Sequence, residues 1–185
     1  RLLDAHDEAA SLDQIVRGGQ QYFHLTPGTV EPAVNADIAI LYEDRDLVIV
    51  NKPAPLPMHP CGRFNRNSLT HILNQIYAPM RLRPAHRLDA NTSGLVVFSR
   101  SKKVAGKIQQ QFEKHQVRKL YIAQIQGSPD SDQFICQAKI SADPGPAGLR
   151  TIDECGLEAR TDFEVLGRYD DGTSLVQATL RTGRT

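Results

Sequence analysis

The polar segment 86–94 runs directly into the apolar residues 95–98, which read Leu-Val-Val-Phe. An apolar run opened by a glycine is typical of a buried strand, so the polar segment is predicted to be a loop at the edge of a sheet. Within this loop Asp89 lies two residues from Arg87, and a cation at that distance favours the ionised carboxylate. An anionic Asp89 is suited to act as a nucleophile or a base rather than as a proton donor.

The residues that follow Asp89 are those that shape turns. The side chains of Asn91, Thr92 and Ser93 can hydrogen-bond to their own backbone and hold a loop in one conformation. From these residues alone, an Arg-x-Asp pair in a turn is more often structural than catalytic. Features elsewhere in the chain must decide between the two interpretations.

Charge is distributed unevenly along the chain. Residues 1–46 carry a net charge of −6, residues 47–119 carry +11, and residues 120–185 carry −4. Asp89 and Glu113 are the two acidic residues of the middle segment. A long basic segment between acidic flanks is typical of a protein that binds a phosphate backbone, although an ordinary solvated helix face accounts for part of the charge.

Length and cysteine content narrow the class of protein. A chain of 185 residues, 40% of them hydrophobic, can bury one core, so one main domain is expected. Cys61, Cys136 and Cys155 are far apart and odd in number, which favours neither disulfides nor a zinc site. Reduced thiols predict a cytoplasmic protein. No apolar stretch approaches the ~18 residues of a membrane span, so no membrane partner is expected.

The hydrophobic periodicity predicts an α+β fold, a mostly antiparallel mixed sheet flanked by two main helices. The first helix is predicted to start at Ser68, and the second is predicted to be capped by Ser101. Ser11 is predicted to cap a further short helix. The strands are predicted at 37–42, 47–50, 94–99, 118–127, 133–140, 159–165 and 175–179.

The segment 86–94, His-Arg-Leu-Asp-x-x-Thr-Ser-Gly, resembles the signature of the RluA-type RNA pseudouridine synthases. The likeness extends to Asn-Lys-Pro at 51–53, to Lys-Leu-Tyr-Ile-Ala at 119–123 and to Arg-Thr-Gly-Arg-Thr at 181–185. Four motifs in the expected order are a specific signal. Residues 37–185 are therefore predicted to be a pseudouridine synthase catalytic domain.

The resemblance also sets expectations for both ends of the chain. The family motif continues beyond Thr185, so the catalytic domain is expected to be truncated at its C-terminus. Members of the family often carry a small RNA-binding domain in front of the catalytic one. Residues 1–36 are acidic and short, and they are predicted to be an N-terminal arm or a remnant of such an accessory domain.

The resemblance implies an enzyme that isomerises specific uridines of rRNA or tRNA to pseudouridine by base flipping, as a monomer and without cofactor or metal. Asp89 would attack C1′ or C6, or assist removal of the C2′ proton, and the sequence leaves the route open. Tyr121 would stack on the uracil or transfer a proton, a core tyrosine being the alternative. Arg87 would fill the place of the flipped base, and Arg184, with Arg181, would then hold Asp89.

The predicted RNA contacts lie mostly in the basic segment, and they are Arg87, His86, Lys52, Thr92, Arg83 and Arg181. Lys52 has a structural role or a plain surface position as alternatives. Two other functions remain open for the whole chain. One is an RNA-binding domain without catalysis, or an inactive relative. The other is a hydrolase with an aspartate nucleophile, which is disfavoured because Asn91 stands where a phosphatase would place its second carboxylate.

Overall fold

The computed structural model describes residues 2–4, 8–11, 13–24, 30–143, 145 and 149–182. The chain divides into two compact units, residues 1–105 and residues 106–185. The short helix predicted after Ser11 is wrong for the residues described there, because residues 13–17 are not helical. Ile15 and Val16, which would have formed its apolar face, are 85% and 66% exposed.

The described residues form two helices and ten short strands. The helices are α1 (Leu69–Ile76) and α2 (Lys102–Glu113). The strands are β1 (Leu2–Asp4), β2 (Tyr22–His24), β3 (Ala39–Glu43), β4 (Leu47–Lys52), β5 (Arg83–Pro84), β6 (Gly94–Ser99), β7 (Lys119–Gln126), β8 (Gln133–Cys136), β9 (Thr161–Arg168) and β10 (Thr173–Leu180).

The first unit is built on a four-stranded antiparallel sheet in the order β3-β4-β6-β5. Val48 and Val50 of β4 lie opposite Phe98 and Val96 of β6, and all four side chains are fully buried. Side chains alternate between the two faces of a strand, so these residues form one apolar face. Helix α1 also contributes buried leucines to the core of this unit.

The second unit contains the four-stranded antiparallel sheet β7-β10-β9-β8. Val176 and Ala178 of the central strand β10 are buried on one face. Phe134 of β8 and Phe163 of β9 stack with ring centroids 4.9 Å apart. Strands β9 and β10 form a hairpin whose turn includes Gly172 at a φ of +79°, a backbone conformation that favours glycine.

The α+β class, with antiparallel sheets and two helices, is confirmed. The strands of the described residues form separate sheets rather than one, with β1 and β2 pairing as a two-stranded sheet. The assignment of residues 1–36 to an arm or a remnant domain stays a prediction. Neither helix in the described part of the chain is long and apolar enough to cross a membrane.

Candidate active site around Asp89

Lys52 ends strand β4 with its side chain fully buried. Its Nζ donates hydrogen bonds to the carbonyl oxygens of Pro53 at 3.1 Å, Leu56 at 2.8 Å and Ala90 at 3.3 Å. Burial lowers the pKa of Lys52 below its ordinary value, and the negative charge of Asp89 acts in the opposite direction. A buried ammonium group with three carbonyl acceptors ties two loops together.

The RNA contact predicted for Lys52 is therefore replaced by a structural role, because the buried ammonium group has no access to a bound RNA. The sequence contains a signal for this position. Val48, Val50 and Lys52 occupy every second position of β4, and a period of two places all three side chains on the same face of the strand.

The loop that carries Asp89 is attached to β6 at its first residues. The backbone N–H of Ala85 donates to the carbonyl oxygen of Val97 at 2.8 Å, and the N–H of Val97 donates to Nε2 of His86 at 3.2 Å. An Nε2 that accepts a hydrogen bond carries no proton in this geometry. His86 is half-buried, and this bond gives it a structural function in addition to the predicted RNA contact, which stays a prediction.

The same loop is fixed on both sides of Asp89. The side chain of Leu88 is buried, and the carbonyl oxygen of Ala90 accepts the N–H of Leu56 at 2.9 Å as well as the Lys52 ammonium group. The N–H of Thr92 donates to the carbonyl oxygen of Asp89 at 3.1 Å, which closes a tight turn. The backbone of Asp89 is held in place while its side chain stays exposed.

Asp89 and Arg87 form a loose ion pair on this rigid loop. Nη2 of Arg87 lies 4.0 Å from Oδ1 of Asp89, and the two side chains are 62% and 70% exposed. An exposed pair at this distance is screened by water and contributes little to stability. The carboxylate is therefore open to a ligand, and the guanidinium group can leave it at small cost.

Tyr121 lies in the second unit, on β7 opposite Ala178 of β10. Its half-buried side chain shares a face with Ala123 and Ile125, whereas Leu120 and Ile122 point to the other face and are 46% and 59% exposed. Tyr121 thus stands on the face that carries the buried residues of β10. Its predicted participation in catalysis together with Asp89 stays a prediction.

Arg181 is engaged by a carboxylate of its own unit. Its Nε donates to Oδ2 of Asp162 at 2.7 Å, while Nε of Arg160 donates to Oδ1 of the same carboxylate at 3.0 Å. The hydrogen bonds from Arg181 and Arg160 hold the pKa of Asp162 below its ordinary value. Arg184, predicted to hold Asp89, lies outside the described residues, so the second arginine of the site stays a prediction.

The chain matches, over residues 46–185, the protein family described as RNA pseudouridylate synthase. It belongs to that family. The match covers three quarters of the chain and includes every residue predicted for the site, from Lys52 to Arg184. Arg87 and Asp89 stand in the family motif that the sequence contains at 86–94.

Individual proteins with similar sequences are named as pseudouridine synthases. The chain is 33% identical over 184 residues to the Pseudouridylate synthase RPUSD2 of Mus musculus, covering 99% of this chain and 33% of that protein. It is 31% identical over 149 residues to the Dual-specificity RNA pseudouridine synthase RluA of Yersinia pestis, covering 78% of this chain and 70% of that one. These matches confirm the predicted RluA type.

A solved structure confirms the fold of this family member. The Human RNA Pseudouridylate Synthase Domain Containing 1 superposes with a TM-score of 0.67 at 27% identity, covering 86% of this chain and 64% of that chain. The chain spans about a third of the length of the mouse relative.

The residues predicted for the site occur in both units of the chain. The first unit brings Arg87, Asp89 and Lys52 together, with Arg83 exposed on β5 and Thr92 half-buried after the turn. The second unit carries Tyr121 and Arg181. No group of three or more metal-binding side chains occurs within the part of the chain that the structure describes.

Proposed function

We propose that this chain is part of the catalytic domain of an RNA pseudouridine synthase and that Asp89 is its reactive carboxylate. The observation that carries the proposal is the contrast within one loop, where a backbone fixed on both sides presents a carboxylate that is 70% exposed. A reacting group must be held in place while its reactive atoms remain accessible. Family membership supplies the reaction class.

The isomerisation breaks the N1–C1′ bond of uridine and forms a C5–C1′ bond in the same nucleotide. N1 gains a hydrogen and C5 loses one, so no atom is added or removed overall. Asp89 can promote cleavage by attack on C1′, by attack on C6, or by assisting removal of the C2′ proton. In all three routes the carboxylate must be anionic and must lie against the ribose–base junction.

Arg87 is suited to fill the place that the flipped uridine leaves in the RNA. Unstacking a base costs a few kcal/mol, and stacking of a planar side chain on a neighbouring base recovers ~1–3 kcal/mol. The ion pair that Arg87 would give up is exposed and spans 4.0 Å, and such pairs are worth ~0.2–1 kcal/mol. Stacking therefore outweighs the loss of the pair.

Tyr121 is proposed to contact the uracil ring or to transfer a proton during the reaction. A tyrosine has an apolar ring that stacks on a base and a phenol that exchanges protons. Its support is the motif at 119–123 and its place on the face of the sheet that carries buried residues. We further propose that rRNA or tRNA is the substrate.

We further propose that the protein is cytoplasmic and monomeric. All three cysteines are free thiols, and all three are exposed, which is typical of proteins in a reducing compartment. Cell fractionation tests the location. Sedimentation of the full-length protein tests the oligomeric state.

The decisive experiment is Asp89→Asn in the full-length protein, assayed by primer extension on carbodiimide-treated RNA from cells that lack the gene. The amide has nearly the same shape but no negative charge, so pseudouridine formation should be abolished while folding and RNA binding are retained. Full turnover by the variant would rule out Asp89 as the reactive group. RNA binding without any product from the wild-type protein would favour the alternative of a non-catalytic RNA-binding protein.

A further inference from the structure

Three consecutive backbone N–H groups converge on the carboxylate of Glu31. The N–H groups of Asn65 and Asn67 donate to Oε2 at 3.0 and 2.8 Å, and that of Arg66 donates to Oε1 at 3.0 Å. The hydrogen bonds from Arg66, Asn67 and Asn65, in that order, hold the pKa of Glu31 below its ordinary value. The group bound there in the free protein is an anion.

We call the N–H groups of residues 65–67 the amide nest. Successive N–H groups that point into one concavity bind anions. The amide nest is separate from the start of α1, because the first N–H groups of that helix, on Leu69 and Thr70, donate to the carbonyl oxygens of Pro57 and Met58. The backbone of residues 65–67 is also held by bonds that do not involve Glu31. The N–H of Ser68 donates to the carbonyl oxygen of Arg66, and the hydroxyl of Ser68 donates to the carbonyl oxygen of Asn65.

One residue of the amide nest also carries a positive side chain. Arg66 is exposed, and its positive charge also lowers the pKa of Glu31. Three N–H donors with the guanidinium group of Arg66 form a site whose chemistry matches a phosphate group.

The segment that carries Glu31 is anchored by other bonds as well. Nδ2 of Asn67 donates to the carbonyl oxygen of Pro32 at 2.8 Å, and the N–H of Asn35 donates to the carbonyl oxygen of Pro55 at 3.0 Å. The carboxylate can therefore leave the amide nest without releasing the segment from the first unit. The bonds from Asn65 and Arg66 are exposed to solvent, where another anion can replace the carboxylate.

We propose that the amide nest, with the side chain of Arg66, binds a backbone phosphate of the RNA substrate, and that Glu31 occupies the nest in the free protein as an internal substitute for that phosphate. The inference rests on the proposed function, which supplies RNA as the substrate. A carboxylate and a phosphodiester both present two anionic acceptor oxygens to N–H donors. Glu31 belongs to the acidic segment 1–46 and the nest to the basic segment 47–119, so bound RNA and Glu31 compete for the same positive region.

The test compares Glu31→Ala with Asp37→Ala in the full-length protein. Asp37 is an exposed carboxylate of the same acidic segment, and its removal changes the net charge by the same amount. We expect Glu31→Ala to bind a uridine-containing RNA roughly three- to tenfold more tightly, the equivalent of one net hydrogen bond regained. Asp37→Ala should stay close to the wild type. Adding Arg66→Ala to Glu31→Ala should remove the gain, because it deletes the positive side chain and keeps the backbone N–H donor.

An affinity of Glu31→Ala equal to or weaker than that of Asp37→Ala would overturn the proposal and leave Glu31 as a permanent clamp on the loop. A second measurement needs no substitution. Titrating RNA into the wild-type protein should shift the amide NMR signals of residues 65–67 with the same dissociation constant as the binding isotherm. If inorganic phosphate shifts these signals and RNA does not, the site binds free phosphate and the assignment to RNA is wrong.

This outcome is distinguishable from failure of the proposed function. Pseudouridine formation that depends on Asp89, together with unchanged RNA affinity of Glu31→Ala, would refute the amide nest alone.

Discussion

The buried ammonium group of Lys52 donates a hydrogen bond to the carbonyl oxygen of Ala90, 3.3 Å away and 38 positions later in the chain. Ala90 directly follows Asp89, so the bond joins the end of strand β4 to the backbone of the proposed reactive residue. The same Nζ donates to the carbonyl oxygen of Leu56 at 2.8 Å, and the N–H of Leu56 donates to the carbonyl oxygen of Ala90. Lys52 is thus a positioning residue for the Asp89 loop.

Lys52→Met should lower both stability and turnover. Methionine fits the apolar surroundings but leaves the carbonyl oxygens of Pro53 and Leu56 without their donor, and a buried unpaired polar group costs ~1–3 kcal/mol. The free energy of unfolding in urea should fall by about that amount, and pseudouridine formation should slow because the Asp89 loop loosens. Lys103→Met, at an exposed position of α2, is the matched control and should change stability by less than ~0.5 kcal/mol. Equal behaviour of the two variants would refute the positioning role.

Arg87→Ala and Arg87→Lys should separate the charge of this residue from its planar shape. Neither variant should change the melting temperature measurably, because the pair with Asp89 is exposed and spans 4.0 Å. Both should lower turnover, since lysine keeps the charge but cannot stack as guanidinium does. A 2-aminopurine placed beside the target uridine reports the unstacked base by fluorescence. Wild-type turnover of Arg87→Lys would show that charge alone suffices.

Gly94→Ala and Gly106→Ala should shift stability in opposite directions. Gly94, between the Asp89 loop and β6, has a φ of +127°, and a Cβ there would meet nothing within 4 Å. The penalty is therefore backbone strain, of order 1–3 kcal/mol. Gly106 lies inside α2 with equal space and an ordinary φ, so alanine should stabilise the protein by roughly 0.5–1 kcal/mol. Thermal unfolding of both variants checks the signs, and destabilisation by Gly106→Ala would contradict this account.

Asp162→Asn should flatten the acid side of the stability profile. Hydrogen bonds from Arg181 and Arg160 lower the folded-state pKa of Asp162, so the unfolded chain binds its proton at a higher pH than the folded one. The ionised carboxylate therefore stabilises the folded state above the unfolded pKa of ~3.9, and this contribution is lost as the pH falls through the lower folded pKa. Urea unfolding between neutral and strongly acidic pH tests the effect. Asp130→Asn, an exposed change of equal charge in the loop after β7, serves as control, and identical profiles for the two variants would refute the mechanism.

Local patterns were sufficient where neighbouring residues decide the structure. Ser68 precedes α1 as predicted, but its hydroxyl donates to the carbonyl oxygen of Asn65 and does not cap the helix. Strand β6 covers the predicted residues 94–99, and the hairpin of β9 and β10 turns at Asp170–Gly172. The helix predicted after Ser11 was wrong for a related reason. Periodicity favours a helix only when its apolar face is buried, and Ile15 is 85% exposed.

The sequence by itself determined the family, the motif that contains Asp89 and most of the helices and strands, because these depend on side-chain type, spacing and turn chemistry within a few residues. Tertiary structure alone decided which donors meet which acceptors across long separations. Glu31 binds an amide nest 34 to 36 positions away, and Arg181 binds Asp162 rather than standing free. Such partners are selected by the packing of the folded chain, which brings together groups that no local pattern relates.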